Sequence, residues 1–234
     1  MAKKKIPKPT KKDKAQMVEK LLELYPDAAP ELTFRSDYEL LVAVILSAQC
    51  TDQRVNAVTD VLFKIASTPQ AMTELSLEAL EEIIRPCGLF HTKAKNILNM
   101  SKTLCDDYDG SVPETLESLM ALPGVGRKTA TVVVSNAFGI PAIAVDTHVF
   151  RVSARLGLAS GQNVDKTEQE LMKVMPREHW TKLHHCLILH GRRVCKARKP
   201  ACEACGLSTL CPHGKAVLEA GSDNDGVVNV ASAK

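Results

Sequence analysis

The sequence predicts an all-α protein, and three observations carry that expectation. Aromatic residues are only 4% of the chain while hydrophobic residues are 45%, so Leu, Val, Ile and Ala must build the core. That palette favours helices over a large sheet. Apolar residues recur at three- and four-residue spacing behind residues that cap helices. No alternating apolar–polar run finds a partner; the β-prone Val132–Val134 triplet has helical flanks. About ten helices are expected.

The elements follow in order. Residues 1–14 are polar and lysine-rich without a hydrophobic period, and read as a disordered basic tail. Met17, Val18, Leu21, Leu22 and Leu24 form an amphipathic stripe that Pro26 ends. Ser36-Asp37-Tyr38-Glu39 reads as a capping box opening onto Leu40–Leu46, which is apolar nearly all round and so a central buried helix. Val55, Val58, Leu62 and Phe63 make the next stripe. Ser76 caps Leu77, Leu80, Ile83 and Ile84, and Gly88 stops them. Thr92 opens Ile97, Leu98, Met100 and Leu104, and Pro113 opens Leu116, Leu119 and Met120. Asp146 precedes Val149, Phe150, Ala154 and Leu156. Asp165-x-x-Glu168 reads as a second capping box, and Trp180, Leu183, Leu187 and Ile188 lead to Gly191. Residues 214–234 turn to Gly, Ser, Asp, Asn and Ala and read as a disordered tail.

A chain of 234 residues can hold one large domain or two small ones. The net charge of +3 implies no polyanion partner by itself, but Lys3–Lys14 is basic, and Arg192, Arg193, Lys196, Arg198 and Lys199 flank a group of cysteines. No secretory signal is legible, and Leu40–Leu46, the longest apolar run, is too short to span a bilayer. Eight cysteines therefore read as thiols of a reducing compartment rather than as a disulfide framework.

Half of those cysteines fall in Cys195-x6-Cys202-x2-Cys205-x5-Cys211, followed by Pro212. Four thiols this close, interleaved with Arg198, Lys199 and Pro200, read as one metal centre wrapped by a loop. Zinc is one candidate, but structural zinc sites usually draw ligands as two short-spaced pairs. Here there is one Cys-x2-Cys with longer flanking gaps, and a Cys-Pro ending like that of several iron–sulfur motifs. His179, His184, His185 and His190 are expected to be surface and packing residues.

Leu122-Pro123-Gly124-Val125-Gly126-Arg127-Lys128-Thr129-Ala130 sits between two helix patterns. Two glycines one residue apart permit a tight turn and close backbone approach. The next helix begins at once, so unpaired N–H groups and the positive dipole end point outward and suit a phosphate. This is the pattern of a helix-hairpin-helix element, which grips the DNA backbone without reading sequence; a plain turn between packed helices is the alternative. Lys128 lies in the first turn, where the macrodipole and Arg127 disfavour a cation. With partial burial, these effects are expected to favour its neutral, nucleophilic amine. A phosphate-binding surface lysine is the other reading. Asp146 stands at the N-cap of its helix, which favours an anion. A lysine pushed toward neutrality and a carboxylate kept ionised resemble a nucleophile and its electrostatic partner.

The hairpin with Lys128, the Gly139/Pro141 loop followed by Asp146, and the cysteine loop occur in that order. Over about residues 15–212 they resemble the helix-hairpin-helix DNA glycosylase superfamily, in its branch with an iron–sulfur cluster loop. The resemblance implies two helical domains with a DNA-binding cleft between them: a discontinuous cluster domain of 15–29 plus 141–213, and a helical domain of 30–140 that carries the hairpin. It implies one [4Fe–4S] cluster per chain, held by Cys195, Cys202, Cys205 and Cys211. It further implies a bifunctional glycosylase and AP lyase that removes oxidised pyrimidines from duplex DNA, with Lys128 and Asp146 catalytic. Gln49 would fill the gap left by a flipped base, and Leu89 would be an apolar wedge. Gly124, Val125, Gly126, Arg127, Arg192 and Arg193 would meet the backbone, and His148 would lie near the catalytic cleft. The implied partner is double-stranded DNA with damaged pyrimidines or abasic sites, bound by a monomer with no membrane association. The implied location is the bacterial cytoplasm and nucleoid, or the nucleus or mitochondrion of a eukaryote. The alternatives are a monofunctional adenine-mismatch glycosylase, against which Lys128 argues, and a non-catalytic DNA-binding protein.

Overall fold

The computed structural model of the protein describes residues 7–222. Those residues form twelve α-helices and no strand. They are α1 (Lys11–Leu24), α2 (Asp37–Ser47), α3 (Asp52–Ile65), α4 (Pro69–Thr73), α5 (Leu77–Ile84), α6 (Phe90–Asp107), α7 (Leu116–Ala121), α8 (Arg127–Ala137), α9 (Thr147–Leu156), α10 (Val164–Met172), α11 (Trp180–Arg193) and α12 (Pro212–Ser222). Short 3-10 turns lie at Arg85–Cys87 and Arg177–His179. No helix among the described residues is long and apolar enough to cross a membrane.

The chain divides into two compact units: Ala29–Ala142, and the residues up to Ala28 together with those from Ile143 onward. The Ala29–Ala142 unit is built around α2, whose residues Tyr38 to Leu46 are all buried. Ser36 Oγ accepts from the Glu39 amide at 3.1 Å, and the Glu39 carboxylate reaches back to the Arg35 amide at 2.6 Å. Leu40, Leu41, Val42, Ala43 and Leu46 are wholly inaccessible. Each buried Leu or Val contributes roughly 1.5–3 kcal/mol, so α2 can hold the unit although it offers water no polar face. α3, α6 and α8 pack around it. The Val132–Val134 triplet lies inside α8, where Val133 and Val134 join this core; burial there outweighs β-propensity.

The second unit packs α1 against α11 and sets α9 between α11 and α12. Its core gathers Met17, Val18 and Leu21 of α1 with Val149, Val152, Leu156, Leu183 and Leu187. The N-terminal segment thus shares a core with residues more than a hundred positions downstream.

Several sequence expectations need correction. Helix α1 starts at Lys11, inside the segment 1–14 expected to be a disordered tail. A capping box holds it there: Thr10 Oγ1 accepts from the Asp13 amide at 3.2 Å, and Asp13 Oδ2 accepts from the Thr10 amide at 2.8 Å. α12 occupies the start of the expected tail 214–234, because Pro212 is well placed to open a helix and the Gly214 amide donates to Cys211 Sγ at 3.3 Å. The remaining parts of both tails, 1–6 and 223–234, lie outside the described residues. Asn163, not Asp165, caps α10, accepting from the Lys166 amide at 2.8 Å. Thr92 lies within the first turn of α6 rather than at its cap, which Leu89 occupies.

Candidate functional site

The hairpin between α7 and α8 is shaped by Gly124. Its φ of 78° lies in the left-handed region, and a Cβ there would come within 2.6 Å of the Asn96 side chain on α6. Only glycine allows this approach. Val125 buries its side chain in the core, so its expected DNA contact is confined to its backbone. A Cβ at Gly126 would meet nothing within 4 Å, and no side-chain cap closes α8 there. The N-terminus of an 11-residue helix is therefore presented beside an open approach. Arg127 and Lys128 occupy the first turn, and both are exposed. The partial burial expected for Lys128 is not found in the free protein.

Asp146 is the N-cap of α9, and its Oδ1 accepts from the Val149 amide at 2.7 Å. It belongs to the second unit, whereas Lys128 belongs to Ala29–Ala142. Behind it, His148 Nδ1 lies 3.1 Å from Arg151 Nη2. Burial lowers the His148 pKa, and Arg151 and Arg192 push the same way against Asp146. Gly191 lets α9 and α11 close together: a Cβ there would sit 3.0 Å from His148 Nδ1 and 3.1 Å from Val152. Arg192 and Arg193 are exposed at the end of α11, and the Arg193 guanidinium lies 6.0 Å over the Tyr25 ring.

Gln49 and Leu89 share a rare property. Both are non-glycine residues in the left-handed region, with φ of 55° and 50°. Each such residue costs on the order of 1–2 kcal/mol. Leu89 is 58% exposed and so is not a core leucine; Gln49, on the loop after α2, is exposed as well. Strain and exposure at both positions suit a functional role rather than packing.

Cys195, Cys202, Cys205 and Cys211 line one small pocket with Leu156, His190 and Pro200 among its other walls. A single zinc ion would need its sulfurs about 2.3 Å from one point. The four thiols here surround a shared pocket, a donor set that also fits a polynuclear iron–sulfur cluster. Donors also surround the sulfurs. Arg155 Nη1 lies 3.5 Å from Cys195 Sγ, the Gly214 amide 3.3 Å from Cys211 Sγ, and His190 Nε2 3.6 Å from Cys205 Sγ. Such donors stabilise thiolate charge. Burial raises the thiol pKa of Cys202, Cys205 and Cys211, so binding iron must displace protons.

Three residues of this centre escaped the sequence reading. Arg155 donates to the carbonyls of Lys196 at 2.7 Å and Ala197 at 3.0 Å; Arg151 donates to those of Gly191 at 3.1 Å and Cys195 at 3.3 Å. Together they tie the loop to α9. His190, expected at the surface or in packing, is 2% exposed. Burial pushes its pKa down to about 4, and Tyr25 Oη lies 2.9 Å from its Nδ1. The neutral ring can accept from Tyr25 and donate its Nε2 proton to Cys205. The one sequence signal for the arginines was their four-residue spacing on α9.

Comparison with known proteins agrees with this arrangement. Residues 42–177 match the HhH-GPD superfamily base excision DNA repair protein family, and residues 195–211 match the iron–sulfur binding domain of endonuclease III. The chain is 48% identical to endonuclease III of Haemophilus influenzae over 207 residues, covering 88% of this chain and 98% of that protein. It is 49% identical to endonuclease III of Bacillus subtilis over 199 residues, covering 85% and 91%. A trapped endonuclease III–DNA covalent intermediate superposes with a TM-score of 0.86 at 49% identity, covering 89% of this chain and 99% of that one. By these matches over most of its length, the chain belongs to the HhH-GPD superfamily of base excision DNA repair proteins and, within it, to the endonuclease III family of iron–sulfur DNA glycosylases and AP lyases.

Proposed function

We propose that the chain excises oxidised pyrimidines from duplex DNA and then cuts the strand at the resulting abasic site, with Lys128 as nucleophile and Asp146 as its electrostatic partner. The observation that carries this reading is the position of Lys128. Its amine stands in the first turn of a helix whose open N-terminus suits a phosphate, so a nucleophile and a backbone grip share one turn. The damaged nucleotide is flipped out of the stack toward Lys128, because its sugar carbon is inaccessible inside the duplex.

The Lys128 amine attacks C1′ of the deoxyribose. The C1′–N bond breaks, its electron pair leaves with the base, and the base takes up a proton. Asp146, whose carboxylate accepts from the Val149 amide at the start of α9, helps remove the proton from the amine and stabilises positive charge developing on the sugar. Ring opening leaves an iminium between Lys128 and C1′. That cation acidifies C2′, and loss of a C2′ proton expels the 3′ phosphate by β-elimination. Hydrolysis then returns the free lysine.

Gln49 faces the stranded partner base, and Leu89 wedges the stack. Gly124, Val125, Gly126 and Arg127 hold phosphates through the hairpin, and Arg192 and Arg193 add cationic contacts. Cys195, Cys202, Cys205 and Cys211 hold the [4Fe–4S] cluster, which folds the loop that presents Lys196 and Arg198 to DNA. The protein works as a monomer on chromosomal DNA, in the cytoplasm of a bacterium.

The test is a duplex carrying thymine glycol, assayed separately for free base and for strand breaks ending in an unsaturated 3′ aldehyde. Both products are expected at matching rates. Base release without strand breaks would favour a monofunctional glycosylase, and binding without base release a passive DNA-binding module.

A further inference from the structure

Lys93 lies in the first turn of α6 and is only 4% exposed. Its Nζ is 2.8 Å from each of three carbonyl oxygens, those of Leu46, Ala48 and Cys87. A lysine ammonium has three N–H donors, and all three are used. Leu46 and Ala48 lie at the C-terminal end of α2, where the macrodipole favours a cation. The Ala48 carbonyl belongs to the peptide that leads directly into Gln49. The Cys87 carbonyl belongs to the peptide that leads into Gly88, itself at φ 66°, and then Leu89. The backbone amide of Lys93 donates to the Leu89 carbonyl at 3.0 Å. One residue thus grips the chain on both sides of the break between the Gln49 and Leu89 loops, from the only helix that follows Leu89 directly.

We propose that Lys93 is a positioning residue for base extrusion: its buried ammonium ties the Gln49 loop to the Leu89 loop so that both side chains enter the duplex as one preset unit. This rests on the insertion of Gln49 and Leu89 into DNA. Left-handed backbone at two non-glycine residues persists only where the surroundings over-determine it, and the three carbonyl bonds supply that determination. Without the ammonium, the two loops lose their common anchor and leave desolvated carbonyls behind. The Lys128 chemistry is expected to be untouched, because all three Lys93 donors are taken by the Leu46, Ala48 and Cys87 carbonyls.

The test compares two substrates in single-turnover assays of iron-loaded protein. One is a duplex carrying thymine glycol; the other is a single strand with a preformed abasic site, which has no stack to open and no partner base to face. Lys93→Met is expected to slow cleavage of the duplex by about 10- to 100-fold and of the single strand by less than about twofold. Adding Lys93→Met to a Gln49→Ala, Leu89→Ala protein should cost little more, since Lys93 acts through those two residues. Equal losses on both substrates, no loss on the duplex, or full multiplication with the double variant would each overturn the assignment. Lys93→Gln, which keeps an amide donor, carries the same test if Lys93→Met does not fold; if neither folds, Lys93 is a stability determinant and the proposal fails. Gln49→Ala and Leu89→Ala alone examine the underlying insertion. Full duplex activity in both would remove the insertion reading itself, whereas slow Gln49→Ala and Leu89→Ala beside a fast Lys93→Met would remove only the role of Lys93.

Discussion

At the residue scale, Asp146 carries two duties that one pair of substitutions separates. Its carboxylate caps α9 through the Val149 amide, a bond asparagine can also make. Asp146→Asn should therefore keep the native melting temperature while base excision falls about 100-fold or more, since the neutral amide neither takes a proton nor stabilises an oxocarbenium. Asp146→Ala should lose activity and, in addition, about 1 kcal/mol of stability in thermal or urea unfolding. Equal activity for Asp146→Asn and the native protein would leave Asp146 as a cap alone. Arg193 is a different case. It is exposed, with its guanidinium over the Tyr25 ring, which leaves its charge available to a phosphate. Arg193→Ala should weaken damaged and undamaged duplexes alike and reduce the salt slope of binding by about one. A loss confined to damaged DNA would contradict a phosphate role.

At the element scale, glycines shape both the hairpin and the α9–α11 contact. Gly124→Ala places a left-handed alanine against Asn96; the backbone alone costs about 1–2 kcal/mol. Unfolding should register that loss, and duplex affinity should fall for every sequence because the turn that aims α8 is distorted. Unchanged affinity would show that the hairpin does not touch DNA. Much of this was legible in the chain: Leu-Pro-Gly-Val-Gly followed by a helix pattern announces a turn with open amides, and Ser36, Ser76 and Asp146 each cap the helix they precede. The helix boundaries at the termini were less legible. Lys11 to Lys14 look solvated in sequence, yet Thr10 and Asp13 satisfy each other locally and Lys14 Nζ reaches the Leu158 carbonyl at 3.1 Å. A contact spanning 144 positions has no local trace. His190, Arg151 and Arg155 were hidden for the same reason: each acts on a group far along the chain.

At the scale of the whole molecule, two units with separate cores divide the work. The Ala29–Ala142 unit carries the hairpin, Gln49, Leu89 and Lys93, and the second unit carries Asp146 and the cysteine cavity. The second core joins α1 to the helices after Ile143, and Leu207 and Cys211 of the cysteine loop share it with Met17, Val18 and Leu21 far upstream. Arg155 is its mechanical link, holding the carbonyls of Lys196 and Ala197. Arg155→Met should weaken iron retention about 10- to 100-fold, read as iron per chain after dialysis against a chelator. Full iron content would mean that the loop closes without α9.

The whole proposed reaction turns on one amine, that of Lys128, forming the bond to the deoxyribose. Borohydride added during reaction with thymine-glycol duplex reduces the iminium and makes that bond permanent, and proteolysis with mass spectrometry then locates the attachment. The expected product is a covalent adduct whose deoxyribose remnant sits on Lys128 and which disappears in Lys128→Ala. A remnant on any other residue, or an undiminished adduct in Lys128→Ala, would contradict it.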